Sequence, residues 1–285
     1  MKGICLIAHG GGVVAAYHAG VAKAIKEKFG LDKIDRIIAS SGAAATYSYL
    51  VSGQEELIIK IWLEIIKDRR FINFFKFPPG KGIINIDFLI NEIVKNKYPL
   101  DLSSLKNSKI QLEICVTDAD NGQAKFFSKN DNIDFYELLK ASCAIPYFYG
   151  RKIALGKKYY YDGTIGGIAN HNIAKDEKNI LIVLTTPPKP VPKLTIFRKI
   201  LRHLLIGKES ILLQKAVWDM MNYHETSEDL IKRFGLNKNI VIVRPTEWLP
   251  IWRIDFRVSR LKKVIEQGYK DVIENKSLEK FFERL

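Results

Sequence analysis

Residues 3–29 read GICLIAHGGGVVAAYHAGVAKAIKEKF and contain the signals of a strand, a tight turn and a helix in succession. The apolar run at 3–8 predicts a short buried strand, and the three glycines at 10–12 predict the turn that ends it. Residues 13–29 then show the helical spacing of apolar side chains, and Gly30 follows as a stop signal. This order is the repeating unit of proteins in which helices cover a sheet.

The same order returns in the next part of the chain. A second strand is predicted over Ile34–Ala39, and small residues at 40–45 lead into a helix that reaches Val51 and ends at Gly53. Further strands and helices alternate along the chain, so we predict a parallel or mixed sheet with helices on both faces. Strands are predicted at 109–117, 124–128, 152–155, 158–161, 180–184 and 239–243, and helices at 55–69, 87–96, 134–143, 255–274 and, in pieces, 194–234.

The composition is that of an ordinary globular protein. The chain has 285 residues, of which 47% are apolar and 27% charged, and this excludes disordered, collagen-like and coiled-coil proteins. A chain of this length folds without disulfides, and Cys5, Cys115 and Cys143 show neither disulfide-framework nor zinc-site spacing. Prolines at 187, 188, 190 and 192 predict a surface loop rather than a boundary, so we expect one domain over residues 1–285.

The charge is strongly positive. Lys and Arg exceed Asp and Glu by 45 − 31, which gives a formal net charge of +14. Such a surplus attracts partners that carry phosphate groups, including nucleic acids, nucleotides and anionic lipids. Two long stretches without charged residues, 3–22 and 37–54, contain too much glycine or too many hydroxyl groups to predict a signal peptide or a membrane-spanning helix. We therefore expect a cytoplasmic protein that is able to touch the inner face of a membrane without crossing it.

The glycines at 10–12 form the first potential site. Their backbone N–H groups lie at the start of a predicted helix, where the helix dipole favours an anion. The spacing Gly10-x-Gly12-x-x-Ala15 also fits a relaxed dinucleotide-binding pattern. That interpretation is disfavoured, because the second strand ends in small residues instead of the acidic residue that would hold a ribose. A tight turn without a ligand is the other alternative.

The stretch Ala39-Ser40-Ser41-Gly42-Ala43, at the second junction of strand and helix, forms another potential site. Small residues two positions before and after Ser41 fit the sharp turn of a nucleophile elbow. Ser41 would then stand at the helix start, where the dipole stabilises a developing alkoxide. Ser40 is less suited, because an isoleucine lies two positions before it. A serine-rich helix cap is the alternative interpretation.

A third potential site, Asp162-Gly163-Thr164, follows the aromatic run at 159–161, and alone it would predict only a turn. Together and in this order, the three sites resemble the motifs of the patatin-like phospholipase family: a glycine-rich loop, a G-x-S-x-G elbow and a D-G motif. The stretch ASCAIP at 141–146 resembles the family's sequence before its aspartate. The resemblance covers most of residues 3–175, and residues 255–269 are similar to the family's closing helix.

This sequence departs from the family pattern in both the loop and the elbow. Val14 replaces the basic residue of the glycine-rich loop, which removes a charge that could support an oxyanion or a lipid phosphate. Ala39 and Ala43 replace the elbow glycines, and a methyl group fits a tight turn better than any larger side chain. The departures leave open a protein of low or absent activity.

The resemblance implies a three-layer α/β fold with a mostly parallel central sheet between helices. It also implies a lipid acyl hydrolase that cleaves fatty-acyl esters of phospholipids or lysophospholipids through an acyl-serine intermediate. Ser41 would be the nucleophile, and Asp162 would take its proton. The other members of the implied site are the amides of the oxyanion hole and the small residues that support the motifs: Gly10, Gly11, Gly12, Ala39, Ala43 and Gly163. No metal-ligand spacing occurs, and we expect no metal and no cofactor.

Histidine is not expected to take part in the reaction. Of His9, His18, His171, His203 and His224, His171 is the best placed for a catalytic triad, because it closely follows the Asp-Gly motif. A solvated loop histidine is nevertheless the favoured interpretation.

A basic and apolar helical segment is predicted around residues 193–235. Seven Lys or Arg accompany one Glu between 189 and 215, and a basic rim beside an apolar face is typical of a helix at a membrane interface. Aromatic loops at 71–77 and 248–253 could enter a bilayer in the same way. A core-packed helix and buried loop anchors are the alternatives.

The expected partner is a membrane lipid or lipid ester, presented on an anionic surface. A catalytically inactive lipid-binding protein on the same fold is the alternative function. A nucleic-acid binder ranks last, because no motif supports it, and we expect no nucleic-acid partner. The oligomeric state is left open.

Overall fold

In the computed structural model, the described residues are 3–72, 82–146, 148–167, 177–187, 207–221, 227–228, 231–232, 237–250 and 257–285. The predictions that concern His171, the aromatic residues at 73–77 and 251–253, and most of the basic segment around 193–235 lie outside these residues. One domain over residues 1–285 likewise stays a prediction.

The described strands form one eight-stranded sheet. Every strand lies at its predicted place, with bounds that differ by no more than two residues. The strands are β1 (Ile4–Ala8), β2 (Ile34–Ala39), β3 (Gln111–Asp118), β4 (Ala124–Ser128), β5 (Ile153–Leu155), β6 (Lys158–Asp162), β7 (Asn179–Val183) and β8 (Ile240–Val243).

The centre of the sheet is parallel. Strands β8, β7, β1, β2 and β3 pair in this order, each parallel to the next. Strands β4 and β6 pair antiparallel with β3, and β5 pairs antiparallel with β6. The predicted mixed α/β architecture with a mostly parallel central sheet is therefore confirmed.

Both faces of the sheet are covered. In β1, Ile4 and Leu6 belong to the larger hydrophobic core, whereas Cys5 and Ile7 belong to a second core on the other face. All four side chains are buried. A continuous apolar run, instead of an alternating one, is what a central strand with two covered faces requires.

Helices follow the strands at the predicted places. The first helical stretch begins as a 3-10 turn, Gly12–Ala16, and continues as α1, Tyr17–Phe29, while the predicted helix at 87–96 is a π-helix, Phe88–Lys97. The other described helices are α2 (Gly42–Val51), α3 (Glu55–Lys67), α4 (Leu102–Asn107), α5 (Phe135–Cys143), α6 (Ile211–Met221), α7 (Val258–Ile273) and α8 (Lys276–Glu283).

Helices α4 and α8 are absent from the sequence prediction. Each begins with a capping side chain: Asp101 accepts a hydrogen bond from the N–H of Ser104, and Asn275 accepts one from the N–H of Leu278. Both helices span only about two turns, which is too short for apolar periodicity to be recognised. The caps were the available signal.

Helices α1 and α7 pack at very short range. A Cβ atom on Gly20 would overlap the backbone carbonyl of Ile265, and one on Gly268 would overlap that of Tyr17. The Tyr17 hydroxyl also donates to the buried Asp271 carboxylate at 2.8 Å. The predicted helix at 255–274 is thus confirmed, and it holds α1 in place behind the glycine turn.

Three further features concern the chemistry of the fold. The cysteines at 5, 115 and 143 are buried and unbridged. Within the described ranges, no helix combines the length and the apolar character needed to cross a bilayer. No cluster of three or more His, Cys, Asp or Glu side chains able to hold a metal ion occurs in the same ranges.

Candidate active site

Ser41 occupies a strained backbone position between β2 and α2. With φ of 55° and ψ of −137°, it is the one non-glycine residue with positive φ in the described part of the chain. Such a conformation costs on the order of 1–3 kcal/mol and persists only where surrounding contacts enforce it. A sharp, strained turn from strand to helix is the geometry of a nucleophile elbow.

The residues around Ser41 are small because the elbow is crowded. A Cβ atom on Gly42 would lie 3.0 Å from both the Ala15 methyl group and the Trp62 ring, so a side chain there would displace its neighbours. Ala39 and Ala43 are fully buried. Alanine therefore fits at the two positions where the family's elbow pattern has glycine.

The glycine turn lies directly against the elbow. A Cβ atom on Gly10 would lie 2.6 Å from the Ser41 Cβ and would also overlap the Thr164 hydroxyl, so only glycine fits between them. The Thr185 hydroxyl donates to the Gly10 carbonyl at 2.9 Å and holds the turn from the side of β7. The first and second predicted motifs are thus in contact.

The amides of the glycine turn are not equivalent. The N–H of Gly10 donates to the Ser40 hydroxyl at 3.2 Å, so this amide is already engaged within the protein. Gly11 and Gly12 follow at the beginning of the 3-10 turn, and Gly12 has a φ of 61°. Their N–H groups stand at a helical N-terminus, where an oxyanion is stabilised.

The sheet register brings Asp162 to the end of β2. Strand β4 runs along one side of this part of β3, so β2 and β6 both lie along its other side. Ala39, the last residue of β2, is opposite Ile114, and Asp162 is opposite Val116, two residues farther along β3. The chain therefore leaves the sheet at Ser41 where Asp162 arrives.

Asp162 is fully buried and anchored. Its Oδ1 accepts a hydrogen bond from the N–H of Thr164 at 2.8 Å, and its own N–H donates to the Ala144 carbonyl at 3.0 Å. Gly163 presses against β3 so closely that a Cβ atom would overlap the Cys115 carbonyl. This contact explains why glycine follows the aspartate.

Cys143 is a neighbour of both Ser41 and Asp162. Burial raises the pKa of the Cys143 thiol well above its usual range, and the charge of Asp162 raises this pKa further, whereas a hydrogen bond with the Ser41 side chain lowers it. The Ala144 carbonyl next to Cys143 accepts a hydrogen bond from the N–H of Asp162, and the Ser142 hydroxyl on its other side accepts one from the N–H of Ser41. The second and third motifs therefore meet around Cys143, although they are far apart in the sequence.

His18 is a buried support of the glycine turn. Its Nε2–H donates to the His9 carbonyl at 2.6 Å, and burial lowers the pKa of its imidazole to about 4. The ring is therefore neutral near pH 7, and its Nε2 proton is directed at the backbone of the turn. His18 thus supports the loop through the His9 carbonyl.

A small apolar cavity adjoins the elbow. It has a volume of about 30 Å³ and is lined almost entirely by apolar atoms of α2, α3 and the π-helix, including Gly42, Trp62 and Leu89. The Trp62 indole N–H donates to the Thr46 hydroxyl at 3.0 Å, which satisfies the polar groups at its wall. The cavity therefore presents apolar surface beside Gly42, the residue that follows Ser41.

Sequence reasoning missed Cys143 and the contact of Ser142, whose hydroxyl accepts a hydrogen bond from the backbone N–H of Ser41 at 2.9 Å. The stretch at 141–146 was recognised as similar to a family motif, but none of its residues was expected to touch Ser41. The available signal was the pair of small side chains at the end of a predicted helix. Such a pair does not reveal its partner.

Much of the chain is similar to known proteins. A family model described as patatin-like phospholipase matches residues 6–174, which is more than half of the chain. The uncharacterized protein YjjU of Escherichia coli K12 is 26% identical over 236 residues, which are 81% of this chain and 64% of YjjU. The chain thus spans less than two thirds of this relative.

Two solved structures align with nearly the whole chain. VipD from Legionella pneumophila superposes with a TM-score of 0.53 at 13% identity, over 99% of this chain and 67% of VipD. The type III effector protein ExoU gives a TM-score of 0.45 at 13% identity, over 99% of this chain and 54% of ExoU. The similarity to VipD shows a shared fold.

Proposed function

This chain belongs to the patatin-like phospholipase family, and on that premise we propose that it hydrolyses fatty-acyl esters of phospholipids or lysophospholipids. The observation that carries the proposal is the strained backbone of Ser41, which lies against the glycine turn and beside the neighbours of Asp162. A strained conformation of a non-glycine residue is retained where function uses it.

In the proposed reaction, Ser41 is the nucleophile and Asp162 is the base. The Ser41 hydroxyl proton passes to the Asp162 carboxylate while Oγ attacks the ester carbonyl carbon. The resulting oxyanion is accepted by the amides of Gly11 and Gly12, and donors of this kind are worth about 2.7–4 kcal/mol each. Collapse expels the alcohol, which takes its proton from Asp162 and leaves an acyl-serine.

Water completes the cycle. Asp162 takes a proton from a water molecule, the hydroxide attacks the acyl carbonyl, and the fatty acid leaves as Ser41 regains its proton. A carboxylate in water, with a pKa of about 3.9, is a weak base for a serine, so burial and direct contact must favour the transfer. The burial of both residues supports this requirement.

Exposed apolar side chains support contact with a lipid surface. Ile211 and Leu212 at the start of α6 are 83% and 58% exposed, and Trp248 is 52% exposed. The net charge of +14 would attract an anionic membrane. We therefore propose that the protein is cytoplasmic and makes peripheral contact with the inner face of the membrane.

Replacing the nucleophile tests the proposal. We expect Ser41→Ala to abolish both hydrolysis of a chromogenic fatty ester and labelling by a fluorophosphonate, because Oγ is the atom that forms the covalent bond. Ser48→Ala is the matched control, since Ser48 is a fully buried serine of α2 whose hydroxyl bonds only to the Ala44 carbonyl within its own helix. Labelling that persists in Ser41→Ala would rule out this nucleophile.

An inactive lipid-binding protein is the second candidate. It is favoured by the absence of a basic residue at Val14 and by the engagement of the Gly10 amide with Ser40, which together reduce the support for an oxyanion. This candidate predicts binding to anionic vesicles by wild-type protein that never reacts with a fluorophosphonate. Labelling at Ser41 would exclude it.

A further inference from the structure

We propose that Ser142 is a positioning residue that sets Ser41 against Asp162. The inference rests on the proposed function, because it concerns the separation of the two residues that would exchange a proton. It starts from three consecutive residues at the end of α5, 142–144, which form hydrogen bonds to both partners at once. We call residues 142–144 the brace.

The brace holds the elbow through the Ser142 side chain. The Ser142 hydroxyl accepts a hydrogen bond from the backbone N–H of Ser41 at 2.9 Å and donates its proton to the Cys115 carbonyl at 2.7 Å. With its proton and a lone pair both used, the hydroxyl has one orientation. The N–H of Ser41 is thereby tied to β3.

This bond meets a need that α2 cannot meet. Ser41 precedes the first residue of α2, so its N–H has no acceptor within the helix. The N–H is also fixed in direction by the strained φ of 55°. Leaving a buried N–H without an acceptor is energetically costly, which would favour relaxation of the strained turn. The Ser142 hydroxyl supplies the missing acceptor and so stabilises the strained turn.

The same brace holds Asp162 through its backbone. The Ala144 carbonyl accepts from the N–H of Asp162 at 3.0 Å, and the Ser142 carbonyl accepts from the N–H of Gly163 at 3.4 Å. One short segment is therefore hydrogen-bonded to the backbone of both Ser41 and Asp162.

Ser142→Ala is the direct test. Removing the hydroxyl frees the Ser41 backbone, and a displacement of this kind lowers kcat by about 10- to 100-fold. KM should change less than about twofold, since substrate contacts remain, and fluorophosphonate labelling should slow in parallel with kcat. Activities are compared well below the melting temperatures, so that each variant is folded.

Two further variants separate positioning from general stability. Ser142→Thr keeps the hydroxyl and should recover most of kcat, whereas Ser48→Ala removes another fully buried hydroxyl and should keep wild-type kcat. If Ser142→Ala does not fold, Ser142→Cys takes its place, because a thiol has nearly the same size but is a much weaker acceptor and donor.

The outcomes distinguish the two proposals. A folded Ser142→Ala or Ser142→Cys with wild-type kcat, or a Ser48→Ala with an equal loss, would overturn the positioning role while labelling of the wild type preserved the proposed function. A wild-type protein that neither hydrolyses esters nor labels would overturn the proposed function, and the positioning role with it.

Discussion

Strand β2 carries two very different arrangements at its ends. Near its start, the Arg36 guanidinium pairs with Glu113 at 2.8 Å and with Glu177 at 3.1 Å. Just beyond its other end, Ser41 is held in a strained turn by neutral hydrogen bonds. In the first arrangement, opposite charges neutralise each other by direct pairing. In the second, hydrogen bonds maintain a strained backbone conformation.

The pKa of Arg36 reflects how strongly its two ion pairs stabilise the charged guanidinium near the start of β2. Burial lowers the pKa of the guanidinium, but hydrogen bonds with Glu113 and Glu177 and the charge of Glu113 outweigh burial and raise this pKa above its usual range. Under the proposed function, the two ends separate stability from reactivity along one strand. The proposed nucleophile then follows the carboxyl end of a parallel strand, which fits the general behaviour of open α/β sheets.

A matched pair of charge-removing substitutions, one in each of the two arrangements, tests this comparison most directly. We expect Asp162→Asn to lower kcat by about 10²- to 10⁴-fold, because the amide cannot take the Ser41 proton. Glu113→Gln, at the other end, should leave kcat within about twofold and lower the melting temperature instead. Ester hydrolysis and thermal unfolding of both variants provide the measurement. Equal losses of kcat would show that the two ends are not distinct.

A pH titration of stability tests His18, the buried residue that supports the glycine turn. The pKa of His18 is about 4 in the folded protein and about 6.5 when unfolded, so the folded state binds fewer protons between these values. The free energy of unfolding should therefore be highest above pH 6.5. It should fall by about 3 kcal/mol in total as the pH drops towards 4.

Urea unfolding at pH 7 and pH 4.5 measures this dependence. His18→Gln keeps a side-chain N–H donor for the His9 carbonyl but removes the titrating group, so its stability should fall less between the two pH values. Arg36 stays charged throughout and contributes nothing to the difference. Equal falls in wild type and variant would show that His18 is not the titrating group.

The smallest expected effect concerns the opposite end. Arg36→Met leaves Glu113 and Glu177 without their cation, and the Glu177 side chain is only 5% exposed. We expect the free energy of unfolding to fall by about 2 kcal/mol, less than for a fully buried pair because Arg36 is 20% exposed. The kcat of the folded variant should stay within about twofold.

An exposed ion pair provides the control for this variant. Lys23 and Glu27 are 3.9 Å apart and about half exposed, so Lys23→Met should change the free energy of unfolding by less than about 1 kcal/mol. Denaturant unfolding compares the two variants directly. If Arg36→Met changed kcat as much as Ser142→Ala, the two ends of β2 would not have separate roles.

Local patterns predicted most of the fold. Apolar runs of strand length located β1 to β8, and the glycines around α1 marked the first turn and its stop, because periodicity and turn chemistry act over a few residues. Helices α4 and α8 escaped, since two turns are too short for a periodic signal. The π-helix at Phe88–Lys97 was also expected only as an ordinary helix.

The site divides in the same way. Ser41 and Asp162 could be proposed from motifs, because a hydroxyl between small residues and a carboxylate before glycine are visible in the sequence. The engagement of the Gly10 amide by Ser40 could not, since 30 positions separate the two residues. The bond from Ser41 to Ser142 spans 101 positions and left no local trace.

By itself, the amino-acid sequence indicates the eight described strands and most of the described helices, and it contains the side chains on which the proposed acyl hydrolysis depends. These properties arise from neighbours within a few residues. The folded chain alone establishes that β6 continues the line of β2 along β3, and that the end of α5 binds both Ser41 and Asp162. Strand pairing is set by the packing of the whole core, and hydrogen bonds between distant segments exist only after that pairing has formed.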